Sequence, residues 1–179
     1  MKASDADGTT PLHWAVRADD LDLSRRLVQA GANAKAVNRY GVSPLSLAAT
    51  NGNAGMTALL LRAGAPANQV VWRGQTVLMT AARTGNPDVV KALIDGGADV
   101  NAQETQLGET ALMWAASENH APVVKLLLAR GAQIEARSNP LKFPKDRFGL
   151  EGVLTILPRG HWTALMYAAR DGAPDATSA

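Results

Sequence analysis

Apolar residues recur along this chain at the spacing of short amphipathic helices, with polar turns between them. The clearest stripes are Val89-Val90-Leu93-Ile94 and Val123-Val124-Leu127-Leu128, each of which places four apolar side chains on one helix face. Such a face has to be buried against a neighbour. Each stripe follows a shorter stretch rich in alanine, such as Ala81-Ala82 or Ala115-Ala116, whose small side chains let neighbouring backbones approach closely. The pattern predicts pairs of short helices.

The local sequence marks both ends of the first helix in each pair. A Ser or Thr precedes the first apolar position, where its hydroxyl can accept a hydrogen bond from a backbone N–H that the helix leaves unpaired. These residues are Thr10, Ser43, Thr76, Thr110 and Thr163. Pro11 and Pro44 follow at a position that needs no N–H donor. The helices are predicted to end at Gly52, Gly85 and Gly172, with Asp19 and Asn119 in the corresponding position of the first and fourth units.

The helix pairs repeat with a fixed period. A Gly-Ala pair begins at residues 31, 64, 97 and 131, which gives steps of 33, 33 and 34 residues. A leucine near the start of each first helix falls at Leu12, Leu45, Leu78, Leu112 and Leu165, with steps of 33, 33, 34 and 53 residues. The last step indicates an insertion of about 20 residues between the fourth and fifth units. After each Gly-Ala pair, a stretch such as residues 98–102 is predicted to be extended.

Thr10-Pro11-Leu12-His13-Trp14-Ala15 matches the T-P-L-H-x-A signature of the ankyrin repeat in full, and Asp99-Val100-Asn101-Ala102 matches the repeat's ending. Degenerate copies of the signature begin at Ser43, Thr76, Thr110 and Thr163. The chain therefore resembles the ankyrin repeat family. The resemblance implies an all-α fold, a solenoid of stacked helix-turn-helix units with hairpin-turn fingers. In its small-residue repeats and long inserted finger the chain is similar to bacterial multi-repeat ankyrin proteins.

We expect a single ankyrin-repeat domain over residues 1–179. Its repeats are predicted at about 5–37, 38–70, 71–103 and 104–137, with a partial repeat at 161–179 and an inserted long finger at 138–160. Aligning the fifth unit on the third places Ala179 on Ala92, inside a helix, and the chain starts within the turn of a repeat. Both ends therefore suggest a fragment of a longer array. As to assembly, we expect either a monomer or such a fragment.

The composition of the chain excludes several classes of function. Lys and Arg number 18 and Asp and Glu number 16, so the formal charge of +2 is too weak to indicate a nucleic-acid partner or a polybasic membrane anchor. The chain has no Cys, which excludes disulfides and Cys-ligated metals. Its apolar runs are far shorter than the roughly 20 residues of a membrane span, and no signal-peptide core follows Met1. We expect a soluble chain without membrane insertion, whose compartment the sequence leaves open.

The pattern of titratable residues argues against an enzyme. His13 and His120 lie three repeats apart, and packed helices are spaced about 8–10 Å, so the two should be roughly 25 Å apart or more. No catalytic sequence motif occurs. We therefore expect no catalytic, cofactor-binding or metal-binding residues. As the histidine of the T-P-L-H signature, His13 is implied to form a structural hydrogen bond to the neighbouring turn.

The family resemblance implies that turn tips and the ends of the first helices form a concave partner-binding surface. Tyr, Trp and Arg recur at these positions, and they are the residue types enriched at binding hot spots. The candidate partner-binding residues are Arg39, Tyr40, Trp72, Arg73, Arg83, Leu107, Phe143, Phe148, Trp162 and Arg170. By contrast, Trp14, Trp114 and Tyr167 occupy the slot of Leu47, which we interpret as an interior position. An alternative for each tip aromatic is stacking on a neighbouring tip or on Arg39 or Arg73.

The inserted finger contributes two of these candidates. Phe143 and Phe148 belong to an apolar set that a solvated linker would not carry, and loops of this length are usually functional or disordered. The finger is expected either to contact a partner directly or to fold back over the tips, including Trp162.

Two hypotheses for function remain. The first is a non-catalytic module that binds a protein or peptide through its concave face and extended finger. The second is a structural or regulatory ankyrin segment that packs against another domain of a larger enzyme or receptor.

Overall fold

The computed structural model describes residues 4–71, 73–140 and 160–179. Within these ranges the chain forms ten α-helices arranged as five consecutive pairs. They are α1 (Pro11–Arg17), α2 (Leu21–Gln29), α3 (Pro44–Asn51), α4 (Ala54–Arg62), α5 (Val77–Thr84), α6 (Pro87–Asp95), α7 (Ala111–Ser117), α8 (Ala121–Ala129), α9 (Ala164–Arg170) and α10 (Pro174–Thr177).

The helices form two layers. The first helices α1, α3, α5, α7 and α9 pack side by side in chain order, and the second helices α2, α4, α6, α8 and α10 pack in the same order behind them. Each first helix also contacts the second helix of its own pair. Every unit therefore buries its apolar stripe against its own pair and its neighbours, which is the arrangement of a solenoid. The predicted all-α architecture is confirmed.

The predicted helix boundaries follow from local capping. The side chain of Ser43 accepts a hydrogen bond from the Ser46 N–H at 3.1 Å, and Thr110 accepts one from Met113 at 3.3 Å. At the other end, Asp19 and Asn119 adopt φ values of 56° and 57°, close to the 70° of Gly52. The prediction that these two residues replace the closing glycine is confirmed, since all three lie in the left-handed region that ends a helix.

The core lies between the two layers. Leu12, Leu45, Leu78 and Leu112 are at most 2% exposed, as are Ala15, Ala48, Ala81 and Ala115 on the same helices. Leu165, the fifth leucine of this series, is 57% exposed. The repeat pattern alone would place it in the core, but in the part of the chain that the structure describes no further first helix packs against α9.

Hairpin turns project from the layer of first helices. Each turn is closed by a backbone hydrogen bond, from Asn38 N–H to Val42 C=O at 2.9 Å in the second unit and from Glu104 to Glu109 at 3.0 Å in the fourth. In the fifth unit the Ser138 N–H donates to the Trp162 C=O at 3.0 Å, so the same closure spans the insertion. Residues 98–102, predicted to be extended, instead contain a turn in which the Ala102 N–H donates to the Asp99 C=O.

Side-chain amides in the segments between each second helix and the next turn connect successive units. Asn68 Nδ2 donates to the Gly97 carbonyl at 2.9 Å, and its Oδ1 accepts from the Asp99 N–H at 2.6 Å. One period later, Asn101 makes the same two bonds to Gly131 and Gln133, at 3.0 Å and 2.9 Å. Each Asn therefore satisfies a donor and an acceptor of the next unit, which holds the spacing between units fixed.

Candidate functional site

Trp14 lies on the exposed side of α1. Its ring is 52% exposed, so our interpretation of this slot as interior is wrong for Trp14. The Arg17 guanidinium lies over the ring, with Cζ 5.6 Å from the centroid, and the indole N–H donates to Asp5 at 3.0 Å. A ring held by a cation on its face and a carboxylate at its edge presents a fixed shape to solvent.

Tyr40 lies at the tip of the second turn, close to Trp14. Its ring is 60% exposed, and the Arg39 guanidinium stacks over it with Cζ 4.9 Å from the centroid. A groove of about 300 Å³ separates the two stacks, and Val42 and Leu47 also line it. We call Trp14, Arg17, Arg39 and Tyr40 the first patch and this cavity the first groove. Most of the surface that lines it is apolar, and Asp7, Thr9, His13 and Asn38 complete the lining.

A second cluster, called here the second patch, consists of Arg83, Trp114, Trp162, Tyr167 and Arg170. It lies on α5, α7, α9 and the residues just before α9. The Arg83 guanidinium, from α5, lies over the ring of Trp114 on α7, with Cζ 5.2 Å from the centroid. Arg170 lies over both Trp162 and Tyr167, at 5.0 Å and 4.9 Å, and those two rings meet edge to face with centroids 5.4 Å apart. Trp162 is therefore stacked on an arginine, as the alternative for the tip aromatics expects. The arginine is Arg170, however, and not Arg39 or Arg73.

The second patch lines a groove of about 200 Å³, called the second groove, that is more polar than the first. Two acidic side chains of this groove region are engaged internally. Glu109 accepts from the Tyr167 hydroxyl at 2.7 Å, and Asp171 accepts from Arg170 Nε at 2.6 Å and from the Ser117 hydroxyl. Burial, followed by the bond to Glu109, raises the pKa of Tyr167 to about 12.

The turn tips carry the next candidates and are joined to one another. The Thr105 N–H and hydroxyl both donate to the Arg73 carbonyl, at 3.2 Å and 2.8 Å, and Arg73 Nη1 donates to Gln106 at 3.0 Å. Leu107 is exposed on the same tip, where the buried Glu104 carboxylate accepts its N–H. Bonds between consecutive tips hold these exposed residues in fixed relative positions.

Three of the candidate residues, Trp72, Phe143 and Phe148, lie outside the described residues. Only the two ends of the finger are described. His161 N–H donates to the Ser138 carbonyl at 3.0 Å, and Asn139 N–H donates to the carbonyl of Leu107 on the preceding tip. The base of the finger is thus anchored to the fourth tip.

The histidines serve the packing of the units. His13 Nδ1 accepts from the Thr10 N–H at 3.1 Å, so Nε2 carries the proton and donates to the Val42 carbonyl at 3.1 Å. The implied bond from His13 to the neighbouring turn is therefore present. Burial lowers the pKa of His13 below its ordinary value. His120 Nε2 similarly donates to the Arg83 carbonyl, at 2.9 Å.

Two further features bear on function. Among the described residues, no group of three or more His, Asp or Glu side chains lies close enough together to hold a metal ion. None of the helices in the described ranges combines the length and hydropathy needed to cross a bilayer.

Comparison with a protein-family model agrees with this architecture. A family model for ankyrin repeats, built as three copies, matches residues 1–70 and again residues 55–138. The chain belongs to the ankyrin repeat family. The second match ends at Ser138, where the closing bond of the enlarged hairpin begins. Ankyrin repeats generally act as protein–protein interaction modules and are typically non-catalytic. The comparison with curated proteins finds no match.

The ankyrin fold brings some of the predicted residues together and leaves others apart. Tyr40 lines the first groove and Arg39 stacks on its ring. Arg83 and Arg170 share the second groove, with the ring of Trp162 beside them. Arg73 and Leu107 lie on consecutive tips between the two patches.

Sequence reasoning missed Trp14 as a surface residue. The same slot holds Thr80 in the third unit, and a polar residue in a repeated slot indicates that the slot reaches solvent in at least one unit. That signal could have identified the ring of Trp14.

Proposed function

We propose that this chain is a non-catalytic ankyrin-repeat module that binds a protein or peptide through the exposed side of its first helices and turn tips, with the inserted finger at one end of that surface. We name this surface the first-helix face. It includes both patches and both grooves. We further propose that residues 1–179 act as one domain, with repeats at about 5–37, 38–70, 71–103, 104–137 and 161–179.

The observation that carries the proposal is the placement of Arg–aromatic stacks. Packing between units uses Leu12, Leu45, Leu78 and Leu112, which are at most 2% exposed. Trp14 and Tyr40 are not needed for that packing, since more than half of each side chain is exposed. Exposed aromatic rings with a fixed orientation provide a large contact area at a small entropic cost, which is why Tyr, Trp and Arg dominate binding hot spots.

The charge of the first-helix face supports a protein partner over nucleic acid. Arg17, Arg39, Arg83 and Arg170 are interspersed with Asp7, Glu109 and Asp171. A nucleic-acid backbone requires a continuous basic track, because affinity comes mainly from neutralising phosphates. In addition, arginine side chains already cover one face of several rings on which bases would stack.

Cross-linking mass spectrometry tests the proposal. The tagged full chain would be expressed in its native cells, cross-linked, and its partners identified from cross-linked peptides. The double variant Trp14→Ala, Tyr40→Ala should lose most partner cross-links while keeping its melting curve. The control Leu23→Ala removes an exposed apolar side chain from α2 and should keep them.

The same experiment separates the two hypotheses. Cross-links to a separate protein support a recognition module. Cross-links from the first-helix face to other parts of the same polypeptide would instead favour a structural segment of a larger protein. Partners retained by the double variant would contradict the proposal.

A further inference from the structure

Building on the proposed function, we infer that the first-helix face binds one extended segment of a partner protein at two anchor points. An apolar side chain of that segment occupies the first groove, and a carboxylate of the same segment pairs with Arg83. The inference identifies the chemistry of the partner as well as the face that binds it.

The first groove is suited to an apolar side chain. Its floor and walls include Val42 and Leu47, and two rings flank it, Trp14 from α1 and Tyr40 from the second tip. The polar atoms of these rings are engaged, because the Trp14 indole N–H donates to Asp5 and the Tyr40 hydroxyl accepts from Arg39 at 2.6 Å. A ligand side chain here meets mostly carbon, which favours an aliphatic or aromatic group.

Arg83 is suited to a carboxylate. Within the described ranges, no carboxylate lies within 4.0 Å of its guanidinium, whereas Arg170 is paired with Asp171. Two carboxylates near Arg83 are engaged elsewhere, since Glu109 accepts from Tyr167 and Asp171 accepts from Arg170 and Ser117. Glu118 also lines the second groove but forms no ion pair with Arg83. Stacking on Trp114 fixes the plane of the guanidinium and leaves its N–H edge for a bidentate acceptor.

The spacing of the two anchors sets the length of the segment. The first groove lies between α1 and α3, and the Arg83 guanidinium lies between α5 and α7. Two interhelical spacings separate them, or about 16–20 Å at about 8–10 Å per packed helix pair. Extended chain advances about 3.3 Å per residue, so the two anchor residues would be about five or six positions apart.

Two short side chains of the described helices, Thr50 on α3 and Thr80 on α5, lie between the anchors. Their hydroxyls donate to the carbonyls of Ser46 and Thr76 one helical turn earlier. An extended backbone could cross these short side chains without displacing them.

Selection from a phage library of random 16-residue peptides against the full chain tests this inference. The enriched peptides should share an apolar residue and an Asp or Glu five or six positions apart. A synthetic peptide of that sequence should lose at least about tenfold in affinity with Arg83→Gln and with Leu47→Lys, measured by fluorescence anisotropy. Arg62→Gln, a control on the last turn of α4, should change its affinity less than twofold.

A double-mutant cycle identifies the carboxylate. Replacing the peptide's acidic residue by its amide should reduce the affinity by the same factor as Arg83→Gln. The two changes together should reduce the affinity by no more than either change alone. A peptide that lacks three residues between its two anchor residues should no longer reach both sites at once. Its affinity should therefore become insensitive to one of the two protein variants, Arg83→Gln or Leu47→Lys.

Each other outcome overturns a defined part of the account. Peptides that share only an apolar residue and ignore Arg83→Gln would refute the second anchor and leave the proposed function standing. Enrichment of basic peptides whose affinity is reduced by Glu118→Gln would refute the proposed carboxylate in the partner segment. If a fluorescein-labelled oligothymidine binds more tightly than the peptide, and this binding depends on Arg83, the partner is a nucleic acid instead of a peptide. If no peptide is enriched, or none is affected by variants of this face, the proposed function fails as well.

Discussion

The hydroxyl of Tyr167 donates a hydrogen bond to the carboxylate of Glu109 at 2.7 Å, although 58 positions separate the two residues in sequence. Glu109 ends the fourth turn and Tyr167 lies on α9, beyond the inserted finger. This bond, with that from Ser117 to Asp171, joins the fifth unit to the fourth in the register of the other units. The insertion therefore leaves the stacking intact.

Alkaline titration tests the bond between Tyr167 and Glu109. Tyr40→Phe leaves Tyr167 as the only tyrosine, and its phenolate absorbance should appear with a midpoint near pH 12, because burial and Glu109 disfavour the anion. The unfolded phenol ionises near pH 10, so this contribution to stability is complete below pH 10 and is lost as the pH rises towards 12. Tyr167→Phe should remove that loss. A midpoint near 10 in the folded Tyr40→Phe variant would contradict the assignment.

Acid should weaken the contact between the first two units. Because burial lowers the pKa of His13, its stabilising effect is complete above about pH 6.5 and is lost as the pH falls through its folded value. Protonation would also turn Nδ1 from an acceptor into a donor facing the Thr10 N–H. Thermal melts of the wild type should drop between pH 7.5 and 5.5 by more than those of His13→Gln. Equal drops in both proteins would show that another group is responsible.

Gly85 requires glycine for two separate reasons. Its φ is 81°, and an added Cβ would lie 2.5 Å from the ring of His120. Gly172 shares the left-handed conformation, with φ at 66°, but an added Cβ would meet nothing within 4 Å. Gly85→Ala should therefore destabilise the protein more than Gly172→Ala, which should cost about 1–2 kcal/mol. In a His120→Ala background the two substitutions should cost the same, as measured by urea unfolding.

The asparagine bonds between units should contribute measurably to stability. Asn101→Ala removes two hydrogen bonds to the next unit and should lower the free energy of unfolding by about 1–3 kcal/mol. Lys35 occupies the equivalent position in the first unit and makes no such side-chain bond in the described structure, so Lys35→Ala is a matched control that should cost less than about 0.5 kcal/mol. Equal costs would show that the bonds do not set the stability.

Local features of this fold could be predicted from the sequence, while contacts between units could not. Capping by Ser43 and chain reversal at Asp19 depend on a few neighbouring residues, so the sequence predicts them directly. Exposure of Trp14 depends on which side chains the next unit presents, and the slot shared with Leu47 gave the wrong prediction.

The candidate site shows the same limit. Arg83 could be proposed from its position at the end of a first helix. Its stacking partner Trp114 could not, because they are brought together only when α5 and α7 pack. The pairing of Arg170 with Asp171 likewise decides which arginine is available to a ligand, and a formal charge count cannot reveal it.

Oxidative footprinting of the chain with and without a bound partner tests most directly that the first-helix face is the binding surface. Hydroxyl radicals modify exposed side chains, so a partner on this face should strongly reduce oxidation of Trp14 and Tyr40. Oxidation of Met166, which is exposed on α9 but lines neither groove, and of Leu23 on α2 should stay unchanged. Protection of Leu23 with Trp14 and Tyr40 still fully reactive would place the partner on the second helices and contradict the account.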